Sequence, residues 1–114
     1  MKIERFEDIV AWQKEGALSH ETYRVFGGCN DYAFTNQIKR AVISIMNNIA
    51  EGYERKTNNE FKHFLYIAKG SCGEFRSMIY IAAKLNYIDQ HVFSEMIKRS
   101  AEISRMLSGL IKTL

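Results

Sequence analysis

Apolar residues recur along the chain at alternating intervals of three and four positions, which is the period of one face of an α-helix. The pattern fills four stretches, and none of them shows the strict alternation of a β-strand. The predicted helices cover about residues 8–26, 34–55, 58–85 and 89–113, with short links between them. This arrangement is typical of an all-α, antiparallel up-down-up-down four-helix bundle. We therefore expect one domain over residues 1–114.

Each predicted helix has one apolar face that we expect to lie in the core. In the first helix this face consists of Ile9, Trp12, Gly16, Ser19, Tyr23 and Phe26. In the second helix it consists of Phe34, Ile38, Val42, Ile45, Ile49 and Tyr53, widened by Ile43, Met46 and Ala50. In the third helix it consists of Phe61, Phe64, Leu65, Ala68, Cys72, Phe75, Ile79 and Ala82. In the fourth helix it consists of Val92, Met96, Ile103, Leu107, Leu110 and Leu114, widened by Phe93, Ile97 and Ile111.

The predicted helix ends carry residues that stabilise free backbone groups. Asp8 and Asp89 are expected N-caps, and Thr57-Asn58-Asn59-Glu60 has the pattern of a capping box. Gly27-Gly28 is expected to end the first helix in the left-handed conformation, and Asn86 is expected to end the third. Residues 1–7 are expected either to pack through Ile3 and Phe6 or to fray.

Composition and charge narrow the class of protein. Of 114 residues, 46% are hydrophobic and 25% are charged, as in an ordinary globular chain. No stretch reaches the roughly 18 apolar residues of a membrane span, and the charged N-terminus lacks the apolar segment of a signal peptide, so we expect a cytoplasmic protein with no membrane partner. The net charge is +3, and residues 57–86 are net basic, so an anionic partner is expected to prefer that region.

The sequence lacks the motifs of the common enzyme classes. It has no Gly-rich phosphate loop and no Gly-x-Ser-x-Gly elbow. Glu60 and His63 have the Glu-x-x-His spacing of a di-iron site, but a second such motif is absent, and a capping Glu beside a surface His is the simpler interpretation. Cys72 lies on the core face, and Cys29 lies in a turn. We therefore assign no catalytic residue, metal ligand or cofactor, and we do not expect an enzyme.

The third helix carries two neighbouring lines of residues outside its core face. Lys62, Lys69 and Arg76, here called the basic row of the third helix, are spaced by seven and so recur about every 10.5 Å. This row is expected either to follow a phosphate backbone or to act as solubilising charge. The second line, here called the tyrosine face, consists of Tyr66, Gly70, Gly73, Ser77 and Tyr80. Its glycines favour close approach of another helix or subunit, and its tyrosines offer stacking surfaces for single-stranded RNA.

The second helix has a polar line opposite its core face, formed by Arg40, Ser44, Asn47 and Glu51. Asn47 and Asn48 lie in mid-helix although asparagine is a weak helix former. The line is either a solvated surface, or a polar interface in which Arg40 would pair with Glu51 of a neighbouring subunit, or a polar site that faces a ligand.

Four segments resemble the proteins encoded within intervening sequences of bacterial 23S ribosomal RNA genes. Phe6 to Lys14, FEDIVAWQK, is similar to the family's F-x-D-L-x-x-W-Q opening. Gln37 to Ile45, QIKRAVISI, is similar to Q-I-R-R-A-A-x-S-I, and Asn48 to Gly52 matches N-I-A-E-G. Phe61 to Glu74, FKHFLYIAKGSCGE, resembles F-x-x-F-L-x-I-A-x-G-S-x-x-E. Two departures are Lys39 in place of Arg, and Met46-Asn47 where many members have Pro-Ala.

The resemblance implies a left-handed antiparallel four-helix bundle, a ring-shaped homopentamer and a bacterial source. It also implies similarity to the accessory proteins of diversity-generating retroelements, which are basic pentamers that bind nucleic acid and a reverse transcriptase. No catalytic residues come with the family, and the matching Arg40, Asn48 and Glu51 have no assigned role. We expect a non-catalytic oligomer that binds RNA, a ribonucleoprotein or a reverse transcriptase; the alternative is a protein-interaction scaffold without affinity for nucleic acid.

Overall fold

The computed structural model describes residues 3–114, which form four α-helices and no β-strand. A short 3-10 helix, Phe6–Asp8, precedes α1 (Val10–Val25), α2 (Tyr32–Tyr53), α3 (Asn58–Lys84) and α4 (Gln90–Lys112). Helix α2 packs against α1 and α3, and α4 packs against α3 and α1, so the helices surround one core. The molecule measures 43 × 23 × 19 Å. The all-α class and the four helices expected from the sequence are confirmed.

The core faces of α2 and α3 agree closely with the sequence pattern. Every buried apolar residue of α2 except Ala41, and of α3 except Met78, lies on the predicted faces. At their contact the helices lie close together at Gly52, where an added Cβ atom would lie 2.6 Å from Cβ of Phe64 and 3.3 Å from the carbonyl oxygen of Phe61. Only glycine therefore fits this position without moving α3.

The predicted core face of α1 is partly wrong. Tyr23 is 46% exposed, with the Lys39 ammonium 5.0 Å from its ring centre, and Trp12 is only half-buried. Ile9, Ser19 and Phe26 of the predicted face are buried, as expected. The other buried residues of α1 lie on a face rotated from the predicted one: Ala11, Glu15, Leu18 and Thr22. The rotated face has helical spacing but few large apolar side chains. The aromatic residues of α1 were therefore predicted to form its core face instead.

Glu15 is an acidic residue that is buried in the core. Its exposure is 0%, and neither carboxylate oxygen has a hydrogen-bond partner in the described residues. Burial raises its pKa to about 9, and the charge of Arg99 offsets part of that rise. With this pKa, Glu15 is protonated at neutral pH. The hydroxyls of Ser19 and Ser100 are also buried without hydrogen-bond partners among the described residues.

Two helix-end predictions are wrong. Asp8 lies in the 3-10 helix, and α1 begins after Ile9 with no side-chain cap. Gly27 and Gly28 do follow the end of α1, but neither has positive φ. The chain leaves α1 instead through a tight turn in which the Cys29 amide donates to the Phe26 carbonyl.

The other predicted ends are confirmed. The Thr57 hydroxyl accepts from the Glu60 amide at 3.1 Å, and the Asp89 carboxylate accepts from the Val92 amide at 2.8 Å. Asn86 adopts a left-handed conformation, with φ of 61°, directly after α3. The amides of Asn86 and Tyr87 then donate to Ala83 and Ala82, which completes a Schellman motif.

Asp31 is the N-cap of α2. Its carboxylate accepts from the Phe34 amide at 3.2 Å and from the Tyr87 hydroxyl at 2.6 Å. The Tyr87 hydrogen bond, with the Phe34 amide, lowers the pKa of Asp31, and the same bond raises the pKa of Tyr87 to about 12. Asp31 thus joins the start of α2 to the link between α3 and α4.

The segment before the 3-10 helix packs on the bundle. Tyr53 donates its hydroxyl proton to the Ile3 carbonyl at 3.0 Å, and Phe6 makes an edge contact with Trp12. Met1 and Lys2 lie outside the described residues. Within those residues, none of the helices has the length and apolar character needed to cross a membrane.

Candidate interaction surface

The basic row of α3 lies beside α4. Lys62, Lys69 and Arg76 are half-buried, and none of them forms an ion pair within residues 3–114. Lys69 donates from Nζ to Oγ of Ser108 on α4 at 2.6 Å, which shows that the row borders the groove between the two helices. Half-burial covers the aliphatic stems while the charged ends reach the surface.

A second basic row lies on α4 and was missed in the sequence analysis. Lys98, Arg105 and Lys112, the basic row of α4, are exposed, are also spaced by seven, and have no ion-pair partner in the described chain. The spacing of these three residues can be read from the sequence, but the prediction for this helix used only its apolar residues and did not consider its polar side. Nothing in the sequence alone showed that this row belongs to the same part of the molecule as Lys62, Lys69 and Arg76.

Within residues 3–114, no acidic residue of α3 or α4 forms an ion pair with either basic row. Glu102 pairs instead with Lys14 of α1 at 3.1 Å, and Glu95 lies two helical turns before it on the same side of α4. Glu74 lines a groove with residues of α2, and the Glu60 carboxylate accepts from the Thr57 hydroxyl at the start of α3. The basic side chains of both rows therefore remain without ion-pair partners in the described residues, although Glu95 and Glu102 lie within four residues of the row on α4.

The tyrosine face covers the outside of α3. Tyr66 is 59% exposed and Tyr80 is 55% exposed, with Tyr80 held by an edge contact to Phe93 at 5.1 Å. A Cβ atom added at Gly70 or Gly73 would meet nothing within 4 Å. Within residues 3–114, no other helix therefore touches the two glycines, and contact there with a second copy stays a prediction.

The polar line of α2 divides into two parts. Arg40, Asn47 and Glu51 are exposed, and Glu51 pairs with Arg55 of its own chain at 3.4 Å. Ser44 and Asn48 are half-buried, and Ser44 connects α2 to α3. The Asn48 amide donates to the Ser44 carbonyl at 2.8 Å, and the Ser44 and Ser71 hydroxyls are 3.0 Å apart.

Beside this connection lies an open groove lined by both polar and small residues. Its volume is about 610 Å³, and its lining includes Arg40, Ser44 and Glu74. The groove therefore places one basic and one acidic side chain at the α2–α3 surface, neither of them ion-paired within residues 3–114.

The residues that can carry chemistry are scattered. Within residues 3–114, no three His, Cys, Asp or Glu side chains are grouped so that they could hold a metal ion. Cys72 is completely buried, and burial raises the pKa of its thiol to about 12, so its thiol stays protonated. His63 lies on the surface against the edge of Phe64.

Comparisons with known proteins agree with the fold. A protein of unknown function from the S23 ribosomal protein family of Bacteroides thetaiotaomicron has a similar crystal structure, with a TM-score of 0.82 and 22% sequence identity. The similarity covers 90% of this chain and 96% of that one. No curated protein matches the chain. The family model described as 23S rRNA-intervening sequence protein matches residues 7–109. By that match, the chain belongs to the family of 23S rRNA-intervening sequence proteins.

Proposed function

We propose that this protein is a non-catalytic RNA-binding module whose binding surface is formed by the two basic rows of α3 and α4. The observation that carries the proposal is that six basic side chains on two adjacent helices lack ion-pair partners within residues 3–114, while Glu102 pairs with Lys14 of α1 and Glu74 lines the groove toward α2. A phosphate backbone supplies the missing negative charge. RNA presented within a ribonucleoprotein, including one that holds a reverse transcriptase, fits the same chemistry.

The proposal includes an antiparallel, up-down-up-down order of the helices in a left-handed bundle. Two contacts support it for α3 and α4, since Lys69 meets Ser108 whereas Tyr80, further along α3, meets the earlier residue Phe93. In that order Lys62 lies near Lys112 and Arg76 lies between Lys98 and Arg105. The six basic residues then form a continuous strip along the groove between the helices.

We further propose that the protein acts as a homopentamer in the cytoplasm. Five copies of a chain with a net charge of +3 carry +15, which strengthens attraction of a polyanion at low salt. Arg40 and Glu74 line the open groove of the α2–α3 surface without partners in their own chain, which supports a subunit contact there. The tyrosine face, with Gly70, Gly73 and Ser77, is the other candidate for this contact.

The salt dependence of RNA binding tests the proposal. Replacing Lys62, Lys69 and Arg76 with Ala should flatten the slope of log K against log salt by about two, because each phosphate contact on a single strand contributes roughly 0.7. The loss should be similar for unrelated RNA sequences, since phosphate contacts carry no base information. Fluorescence anisotropy of labelled RNA between 50 and 200 mM salt measures it.

A matched control removes the same charge elsewhere. Lys14, Arg24 and Arg55 each pair with a glutamate of their own chain, so replacing these three with Ala should leave the slope nearly unchanged. If the unmodified protein shows no RNA binding near 50 mM salt, the RNA proposal is wrong. The protein-interaction scaffold is then favoured by the exposed apolar residues of α3, which include Ile67, Ile81 and both tyrosines.

A further inference from the structure

We propose that the RNA recognised by this surface is single-stranded, with its bases over the tyrosine face of α3 and its phosphates along the two basic rows. The inference rests on the proposed function and adds the class of RNA and its orientation. The inference depends on the position of the tyrosine face relative to the two basic rows, and not on the charge alone.

The exposed tyrosine rings can be used fully only by unpaired bases. In a duplex each base face is covered by its neighbours, whereas the bases of a single strand can be splayed out and stacked on aromatic side chains. Tyr66 and Tyr80 are both more than half exposed, although Tyr80 also packs by its edge on Phe93. A ring fixed in this way keeps one surface free and loses little conformational entropy on binding.

The residues between the two tyrosines leave room for bases. Gly70 and Gly73 have no side chains, open space lies above both, and Ser77 is small. Tyr66 and Tyr80 are fourteen residues apart, which is about 21 Å along the helix at 1.5 Å per residue. The helix surface between them is therefore a strip without large side chains, with an aromatic ring at each end.

The charges beside this strip are asymmetric, which fixes the orientation of the strand. The basic rows of α3 and α4 lie on the α4 side. On the α2 side lie the partly exposed apolar side chains of Ile67 and Ile81, and the α2–α3 groove, which is lined by one carboxylate, Glu74, and one cation, Arg40. A strand with its phosphates toward α4 and its bases over α3 meets six basic side chains; in the reverse orientation its phosphates meet a single cation beside a carboxylate.

Anisotropy with two RNA probes tests the inference: a labelled twelve-nucleotide oligouridine and a hairpin duplex of similar length. We expect tighter binding of oligouridine. Tyr66→Ala and Tyr80→Ala should each weaken its binding at least five-fold, at the lower end of the effect of removing one stacking contact. Neither variant should change hairpin binding. Tyr32→Ala is the control, because Tyr32 is 70% exposed and begins α2, a helix that carries neither basic row.

The outcomes separate the two proposals. Absence of binding to either probe at 50 mM salt overturns the proposed function. Equal binding of both probes, with full affinity kept by the tyrosine variants, overturns this inference and leaves the proposed function standing. A change in the mass of the assembly on Tyr66→Ala, measured by native mass spectrometry, would show that a second copy covers the tyrosine face, and this also overturns the inference.

Discussion

Glu15 is the residue whose environment departs furthest from what its chemistry favours. A carboxylate with no hydrogen-bond partner is costly in an apolar core, and the group avoids most of that cost by keeping its proton. The unpartnered hydroxyls of Ser19 and Ser100 add to the polar content of the same core. We expect these residues to lower the stability of the bundle relative to apolar residues of similar size.

The pKa of Glu15 gives a prediction for stability against pH. Between the ordinary value of 4.5 and the raised value of about 9, the unfolded chain releases the proton and the folded chain retains it. The free energy of unfolding should therefore fall as pH rises through this window, by up to about 1.4 kcal/mol per pH unit from this group. Glu15→Gln should remove that slope and be the more stable protein at pH 8.

Urea unfolding at pH 5, 6.5 and 8 checks this prediction, with Glu95→Gln as the control because Glu95 is exposed. A wild-type protein whose stability does not change over this range would contradict it.

Residue-level burial was only partly predictable from the sequence. Helical spacing alone placed the buried residues of α2 and α3, because those helices have a single strongly apolar face. In α1, two faces compete, and the aromatic one containing Tyr23 is the more exposed. Which face is buried depends on α2 and α4, which is tertiary information that a local pattern does not hold.

At the scale of the helices, the contact between α2 and α3 depends on one glycine. Gly52→Ala should reduce the free energy of unfolding by about 1–3 kcal/mol, because its Cβ atom would overlap the base of the Phe64 side chain and crowd the backbone of Phe61. Gly70→Ala is the matched control, also in a helix but with open space above it. It should raise stability by up to about 1 kcal/mol through helix propensity.

Urea midpoints of the two variants measure the difference. A stabilising Gly52→Ala would mean that α2 and α3 separate easily at this point, contrary to the contact described. Glycine in a helix interior is costly, and for that reason the sequence predicts close approach of another helix at Gly70 and Gly73. The structure places the close approach within this chain at Gly52, which the sequence pattern did not distinguish from the other glycines.

At the scale of the whole molecule, the candidate binding surface depends on two helices that are separate in the sequence. The seven-residue spacing of each basic row can be read from the sequence, but the packing of α3 on α4, which brings Lys69 to Ser108, cannot. The same holds for the acidic residues: only the fold shows that Glu102 is directed to α1 and Glu74 to α2. Charge counts along the chain therefore understate how basic this part of the molecule is.

Assembly and RNA binding make different demands on the tyrosine face, and Gly73→Leu distinguishes them. Native mass spectrometry of the wild-type protein at micromolar concentration should give five chains; a monomer would contradict the assembly proposal, and a dimer or tetramer would contradict the ring. In one chain the new side chain meets open space, so the variant should fold. If the face binds single-stranded RNA, Gly73→Leu should keep the same number of chains in the assembly as the wild-type protein. It should lose affinity for oligouridine, because leucine occupies the strip between Tyr66 and Tyr80. If the face joins subunits, overpacking should instead break the assembly. That result would mean that the basic rows alone, without the tyrosine face, form the RNA-binding surface.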